Sequence, residues 1–177
     1  MARKARTLTP GNPMFVMAKG HPSLKIFASE EMKLNFLAWL RDAAKTYNLV
    51  IHAYSILPNH LEMLVTPKDE QSLARTMQSL CRRFTQRYNQ LHSRTGTVWQ
   101  DRYFSKVIIS EQDLLMSQAM IDLSGVREKL VSQPELYPWS SYKIHAGLEV
   151  NYGLVDILPF WNLGNTPFER QQNWRNW

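Results

Sequence analysis

The residues with the clearest capacity for chemistry are His60 and Glu62, which flank Leu61 directly after a turn at positions 58–59. Alternate residues of a β-strand project from one face, so a strand here would place His60 and Glu62 together and Leu61 opposite them. An imidazole and a carboxylate on one face form a two-ligand platform for a metal ion. The triplet is also common among solvated strand residues, so the surrounding sequence must decide between these readings.

The composition indicates an ordinary globular chain. The 177 residues are 44% hydrophobic and 20% charged, which predicts one domain with its own core. No apolar run reaches the roughly 18 residues of a membrane span, and the start lacks the apolar segment of a signal peptide. The single cysteine, Cys81, excludes an internal disulfide and is interpreted as a core residue, so we expect a cytoplasmic protein with no membrane partner.

The charge distribution favours a polyanionic partner. The net charge is +6 and the isoelectric point is about 9.5. Trp99 and Tyr103 stand among the basic residues, where exposed aromatic rings can stack on unpaired bases while cations neutralise phosphates. The alternative is that the aromatic rings belong to the core and the cations to a solvated surface. The candidate basic contacts are Arg3, Lys4, Arg6, Arg82, Arg83, Arg87, Arg94, Arg102 and Lys106.

Hydrophobic periodicity and turn signals predict alternating strands and helices. The predicted elements are a strand at 14–17, a helix from the Ser29 cap to about 47, strands at 49–56 and from 60, a helix at about 71–92, a strand at 102–109, a helix at 114–123 after the Ser110 cap, and a last helix near 166–177. This order predicts an α+β, ferredoxin-like split βαβ fold, an antiparallel sheet with helices on one face. A single domain would span 1–177, with a basic arm at about 1–10 and a loop-rich extension at about 131–177.

Three motifs carry a resemblance to a known family. They are Leu57-Pro-Asn-His-Leu-Glu62, the segment from Arg94 to Tyr103 with its Gly-x-x-Trp-x-x-Arg pattern, and Leu136-Tyr-Pro-Trp-Ser-Ser-Tyr142. In this order they resemble the single-tyrosine transposases of the IS200/IS605 and REP-associated group. The resemblance covers nearly the whole chain and implies an HUH nuclease-like fold.

The resemblance also implies a chemistry that this chain departs from. In that family, paired histidines hold a divalent metal on the scissile phosphate, and a helix-borne tyrosine attacks it to form a 5′-phosphotyrosyl intermediate. Aligned here, the nucleophile's position is Met120, a supporting asparagine is Ser124, and the second metal histidine is Glu62. Phe15 stands where many relatives have a histidine. A thioether has no ionisable proton and cannot replace the phenol.

These departures predict a transposase-like protein that binds single-stranded or hairpin DNA and has lost strand cleavage. Met120 is then a helix core residue, and His60 with Glu62 retains at most a weakly bound Mg²⁺ or Mn²⁺. The alternative is an active metal-dependent nickase or transposase that uses Tyr88 or Tyr103 as its nucleophile. A third reading gives the basic surface an RNA or protein partner.

Overall fold

A computed structural model describes residues 10–177, so the predicted contacts of Arg3, Lys4 and Arg6 lie outside the described residues. Its four strands are β1 (Met14–Lys19), β2 (Leu49–Leu57), β3 (His60–Pro67) and β4 (Phe104–Val107). Its α-helices are α1 (Glu30–Thr46), α2 (Ser72–Leu91), α3 (Glu111–Asp122), α4 (Ser124–Arg127), α5 (Tyr142–His145) and α6 (Pro167–Arg175), with two short 3₁₀ turns at Pro134–Leu136 and Trp161–Leu163. No helix of the described residues is long and apolar enough to cross a membrane.

The strands form one antiparallel sheet in the order β2-β3-β1-β4. This is the spatial order of the split βαβ pattern, so the predicted α+β fold is confirmed. The two long helices cover one face, where Val16 of β1 and Met63 of β3 join Phe36 of α1 and Phe84 of α2 in the main core. The buried residues of both helices recur every three to four positions, which is the spacing that keeps one helix face against the sheet.

Helix α3 departs from the predicted arrangement of helices on one face. Ile121 of α3 packs against Ala53 and Leu64, whose side chains project from the sheet face opposite to the long helices. The Ser110 side chain accepts a hydrogen bond from the Asp113 amide at 3.0 Å, which confirms the predicted start of this helix. Because α3 lies over β2 and β3, the same face remains more open along β1 and β4.

The segment after α4 closes the free edge of β2. Ile56 donates its amide hydrogen to the Trp139 carbonyl at 2.8 Å, and Ser141 donates to the Tyr54 carbonyl at 2.9 Å. Further along, Asp156 donates to the Ile51 carbonyl at 2.7 Å. An exposed edge strand can pair with another chain, so these bonds protect it. The extension predicted as loop-rich is therefore anchored to the sheet.

Candidate nucleic-acid interface

His60 and Glu62 lie on the sheet face that α3 partly covers, as their alternation with Leu61 predicts. In the antiparallel register His60 lies opposite Lys19 of β1, and Glu62 lies opposite Met17. Leu61 points into the main core on the other side. The predicted common face is therefore confirmed, and the two side chains approach each other with His60 Nε2 3.7 Å from Glu62 Oε1.

The Glu62 carboxylate is held by two residues of α4. Arg127 Nη2 donates to Oε1 at 2.6 Å, and the Ser124 hydroxyl donates to Oε2 at 2.5 Å. Ser124 Oγ also accepts from Arg127 Nη2 at 3.3 Å and lies 3.0 Å from the Met120 carbonyl oxygen. Each carboxylate oxygen thus has a donor supplied by α4.

These contacts keep Glu62 charged although it is only 5% exposed. Burial by itself would raise the pKa of this carboxyl group. The neighbouring His60 ring, the Ser124 hydroxyl and the Arg127 guanidinium stabilise the anion, so the pKa lies below its ordinary value. The site therefore contains a buried carboxylate whose negative charge is neutralised within the protein.

The donor set does not fit a divalent metal well. Mg²⁺ bonds of about 2.1 Å at near-octahedral angles place neighbouring ligand atoms roughly 3 Å apart, closer than the 3.7 Å between His60 Nε2 and Glu62 Oε1. The guanidinium of Arg127 already occupies the space beside Oε1. Among residues 10–177 no group of three or more His, Cys, Asp or Glu side chains is placed to hold a metal ion. Metal ligation by His60 and Glu62 stays a prediction.

Met120 lies beside this cluster, but the prediction that it is a helix core residue is wrong. Its side chain is 49% exposed on the surface of α3, one helical turn before Ser124. Phe15 is half-buried in the small core beneath α3, with its ring centroid 6.4 Å from that of Phe104. The position that the resemblance assigns to a nucleophile is thus accessible, and its thioether has no proton to lose.

The alternative nucleophiles, Tyr88 and Tyr103, lie on the opposite side of the sheet from His60 and Glu62. Tyr88 is buried in the main core and packs against Phe84 of the same helix. Tyr103 also packs against that core, on the side of the sheet covered by α1 and α2. His60 and Glu62 lie on the opposite face. The structure therefore does not bring together the residues that the nickase reading requires.

The predicted basic residues divide between two surfaces. Arg82 and Arg83 are exposed on α2, on the far side of the sheet from His60. Arg102 is exposed before β4, where it lines a pocket with Gln78 of α2, whereas Lys106 is exposed within β4 on the face that carries His60. The predicted contacts therefore do not form one continuous patch.

Two further predicted contacts are already engaged within the protein. Arg87 forms an ion pair with Glu31 at 2.7 Å. Arg94 donates to the side chain of Asn89 and to the carbonyl of Thr97. A phosphate would have to compete with these partners for either guanidinium.

The predicted stacking role of Trp99 does not agree with its position. Its indole is 7% exposed, packs in the main core and donates to the Cys81 carbonyl at 3.3 Å. Cys81 packs against the same core, and burial raises the pKa of its thiol to about 12, as expected for an unreactive residue.

A different aromatic residue faces the open part of the sheet. Phe104 of β4 is 52% exposed and pairs with Met17, and Lys106 two residues later points to the same face. Lys19 is exposed at the end of β1 beside His60. The sequence-based prediction assigned stacking to Trp99 and Tyr103 rather than to Phe104, although the alternation of Phe104 with Lys106 in a predicted strand was a usable signal. It also missed Arg127, whose only signal was its spacing of three residues from Ser124.

A buried polar network fixes α3 against the sheet and the extension. Asp122 Oδ2 lies 2.6 Å from His145 Nδ1 and accepts from the Trp174 indole at 3.1 Å. Asp122 Oδ1 accepts from the Ser141 hydroxyl at 2.7 Å, and His145 Nε2 lies 3.0 Å from the His52 carbonyl oxygen. The motif at 136–142 thus has a structural role here, because Ser141 joins α3 to the edge of β2.

Comparison with known proteins agrees with this architecture. A family model described as "Transposase IS200 like" matches residues 22–121, more than half of the chain. The structure of a REP-associated tyrosine transposase bound to a REP hairpin has a TM-score of 0.65 and 16% identity, and the match covers 89% of this chain and 99% of that one. A "putative transposase" from Deinococcus radiodurans R1 has a TM-score of 0.48 and 16% identity, covering 68% and 96% of the two chains. No curated protein matches. The protein is a member of the IS200-like transposase family.

Proposed function

We propose that this protein binds hairpin or single-stranded DNA and has lost tyrosine-mediated strand cleavage. Two observations together support the proposal. Met120 is exposed at the position of the nucleophile, and both carboxylate oxygens of Glu62 already accept hydrogen bonds from Ser124 and Arg127. Both parts of a phosphotransfer site, the attacking oxygen and the free metal ligand, are altered while the fold around them is retained.

The chemical reason for lost cleavage is the lack of a positioned nucleophile. Attack on a phosphodiester needs an oxygen in line with the leaving group and a cation that stabilises the developing charge. Met120 supplies no oxygen, and Tyr88 and Tyr103 pack against the core on the other side of the sheet. A water molecule attacking without such positioning gains little acceleration.

Support for DNA as the ligand comes from the open part of the sheet. Phe104 offers an exposed ring on which an unpaired base can stack, and Lys19 and Lys106 lie on the same face to neutralise phosphates. The structural relative was solved with a REP hairpin, which makes hairpin DNA the first ligand to test. A hairpin with a single-stranded flank offers both backbone phosphates and unstacked bases.

The test is a comparison of affinities for three labelled ligands of equal length at one salt concentration. They are a DNA hairpin with a single-stranded flank, a plain DNA duplex and an RNA hairpin with the same flank. We expect the DNA hairpin to bind at least tenfold more tightly than the duplex, and Phe104→Ala to reduce that preference. The exposed Leu34→Ala change on α1 is the matched control for loss of a surface apolar residue. Equal affinity for hairpin and duplex would contradict recognition of unpaired DNA, and tighter binding to RNA would favour an RNA partner.

A further inference from the structure

We propose that the Arg127 guanidinium takes the place of a metal cation beside His60 and Glu62 and binds a DNA phosphate there. This inference rests on the proposed DNA-binding function and deepens it by naming the group that receives the phosphate. The resulting contact needs no divalent metal.

The guanidinium is fixed at one end and accessible at the other. Arg127 uses Nη2 for both Glu62 and Ser124, while Nη1 and Nε form no hydrogen bond with any protein atom of residues 10–177. The side chain is 37% exposed, whereas the carboxylate behind it is 6% exposed. The planar guanidinium presents its donors in a fixed fork that matches phosphate oxygens. Glu62 thus orients a cation whose remaining donors are available to a ligand.

The backbone around Arg127 also limits where the side chain can go. Ser124 and Arg127 are three residues apart in α4, so their side chains lie on one side of that short helix. Gly125, between them, packs against the Tyr137 ring, where an added Cβ would come within 2.5 Å of the ring carbon Cγ. The Tyr137 hydroxyl in turn donates to the Ile56 carbonyl at 2.6 Å. These contacts hold α4 close to the sheet.

The local charge suits an anion without added metal. Glu62 and Arg127 neutralise each other, and the exposed Lys19 beside His60 leaves one positive charge when the imidazole is neutral. A divalent metal placed beside Oε1 would repel the guanidinium 2.6 Å away from that oxygen. The site therefore favours direct binding of a phosphate by Arg127 over binding of the phosphate through a metal ion.

The experiment measures hairpin DNA affinity of the full chain by fluorescence anisotropy, first in EDTA and then in Mn²⁺. The variants are Arg127→Ala, Arg127→Lys and Glu62→Gln, with Arg41→Ala as a control that removes an exposed arginine from α1 on the other side of the sheet. We expect wild-type affinity to agree within about twofold between EDTA and Mn²⁺. Arg127→Ala should weaken binding about tenfold and Arg41→Ala less than threefold. Glu62→Gln, which keeps the guanidinium but removes the carboxylate that orients it, should weaken binding less than Arg127→Ala.

Arg127→Lys distinguishes loss of phosphate binding from loss of folding. It keeps a cation beside Glu62 and removes only the planar arrangement of donors. We expect it to bind with an affinity between those of wild type and Arg127→Ala. The inference is overturned if EDTA weakens wild-type binding tenfold, or if Arg127→Ala binds like Arg41→Ala. In both cases DNA binding itself would persist, so the proposed function would survive. A wild-type protein that binds neither hairpin nor single-stranded DNA would overturn both proposals together.

Discussion

Nη2 of Arg127 lies 2.6 Å from Oε1 of Glu62, so an intramolecular ion pair stands at the position that the family resemblance assigns to a second metal histidine. The pair joins β3 to the end of the helical segment that bears Met120. Its strength therefore affects both the stability of the site and the way in which the site can receive a phosphate.

The lowered pKa of Glu62 predicts a pH-dependent contribution to stability. An unfolded glutamate has a pKa of about 4.3, and the folded value is lower, so the stabilisation is present at neutral pH and is lost as the pH falls through the folded pKa. Glu62→Gln removes this contribution at every pH. We expect the variant to be about 2 kcal/mol less stable at pH 7 in urea denaturation, with a gap that narrows below about pH 4. A gap that stays constant down to pH 3 would show that the carboxylate is not stabilised in its charged form.

Removing the guanidinium should change the response to metal. In Arg127→Ala, His60 and Glu62 are freed, and a DNA phosphate with water can complete the coordination of Mn²⁺. We expect Mn²⁺ to recover part of the lost hairpin affinity in this variant. The double variant Arg127→Ala with Glu62→Gln is the matched control and should not respond. Recovery of the same size in the double variant would assign the metal effect to DNA alone.

The two basic surfaces can be separated by salt dependence. Removing one cation that binds a phosphate flattens the slope of log K against log salt by about 0.7 to 0.9. We expect Lys19→Ala combined with Lys106→Ala to flatten the slope by roughly twice that amount, because both lysines lie on the face that carries His60. Arg82→Ala combined with Arg83→Ala removes the same charge from α2 and should have a smaller effect. The opposite ranking would place the DNA on α2.

Much of the fold follows from local sequence signals. The strand at His60, the helix cap at Ser110 and the long amphipathic helix near 72–91 depend on alternation, capping and periodicity, which are readable along the chain. The exposure of Met120 could not be predicted from the sequence. Helix α3 has apolar residues on several sides, so its hydrophobic pattern does not define one buried face.

The parts of the site that depend on distant segments could not be predicted. The Glu62 to Arg127 pair joins residues 65 positions apart, and the docking of α3 depends on Asp122 meeting His145 and Trp174. The burial of Trp99 likewise depends on a contact with the α2 backbone at Cys81. Only the packing of the whole chain determines these contacts, whereas the shared face of His60 and Glu62 required no more than strand alternation.

Restoration of the family residues tests the alignment of the site. Met120 is already exposed on α3, so a tyrosine can replace it without disturbing the core. We expect Met120→Tyr combined with Glu62→His, and with Ser124→Asn if needed, to give a trace of covalent adduct with single-stranded DNA in Mn²⁺. Met120→Phe in the same background is the control and should give none. An adduct in that control would show that another residue attacks.

The decisive experiment on DNA binding without tyrosine-mediated cleavage uses the unmodified protein. Labelled hairpin DNA with a single-stranded flank is incubated with the protein in Mn²⁺, and the products are separated by native and by denaturing electrophoresis. We expect a retarded complex on the native gel, with full-length DNA and no protein–DNA adduct on the denaturing gel. A covalent adduct that disappears in Tyr88→Phe or Tyr103→Phe would contradict the loss of cleavage and establish an active nuclease with an alternative nucleophile.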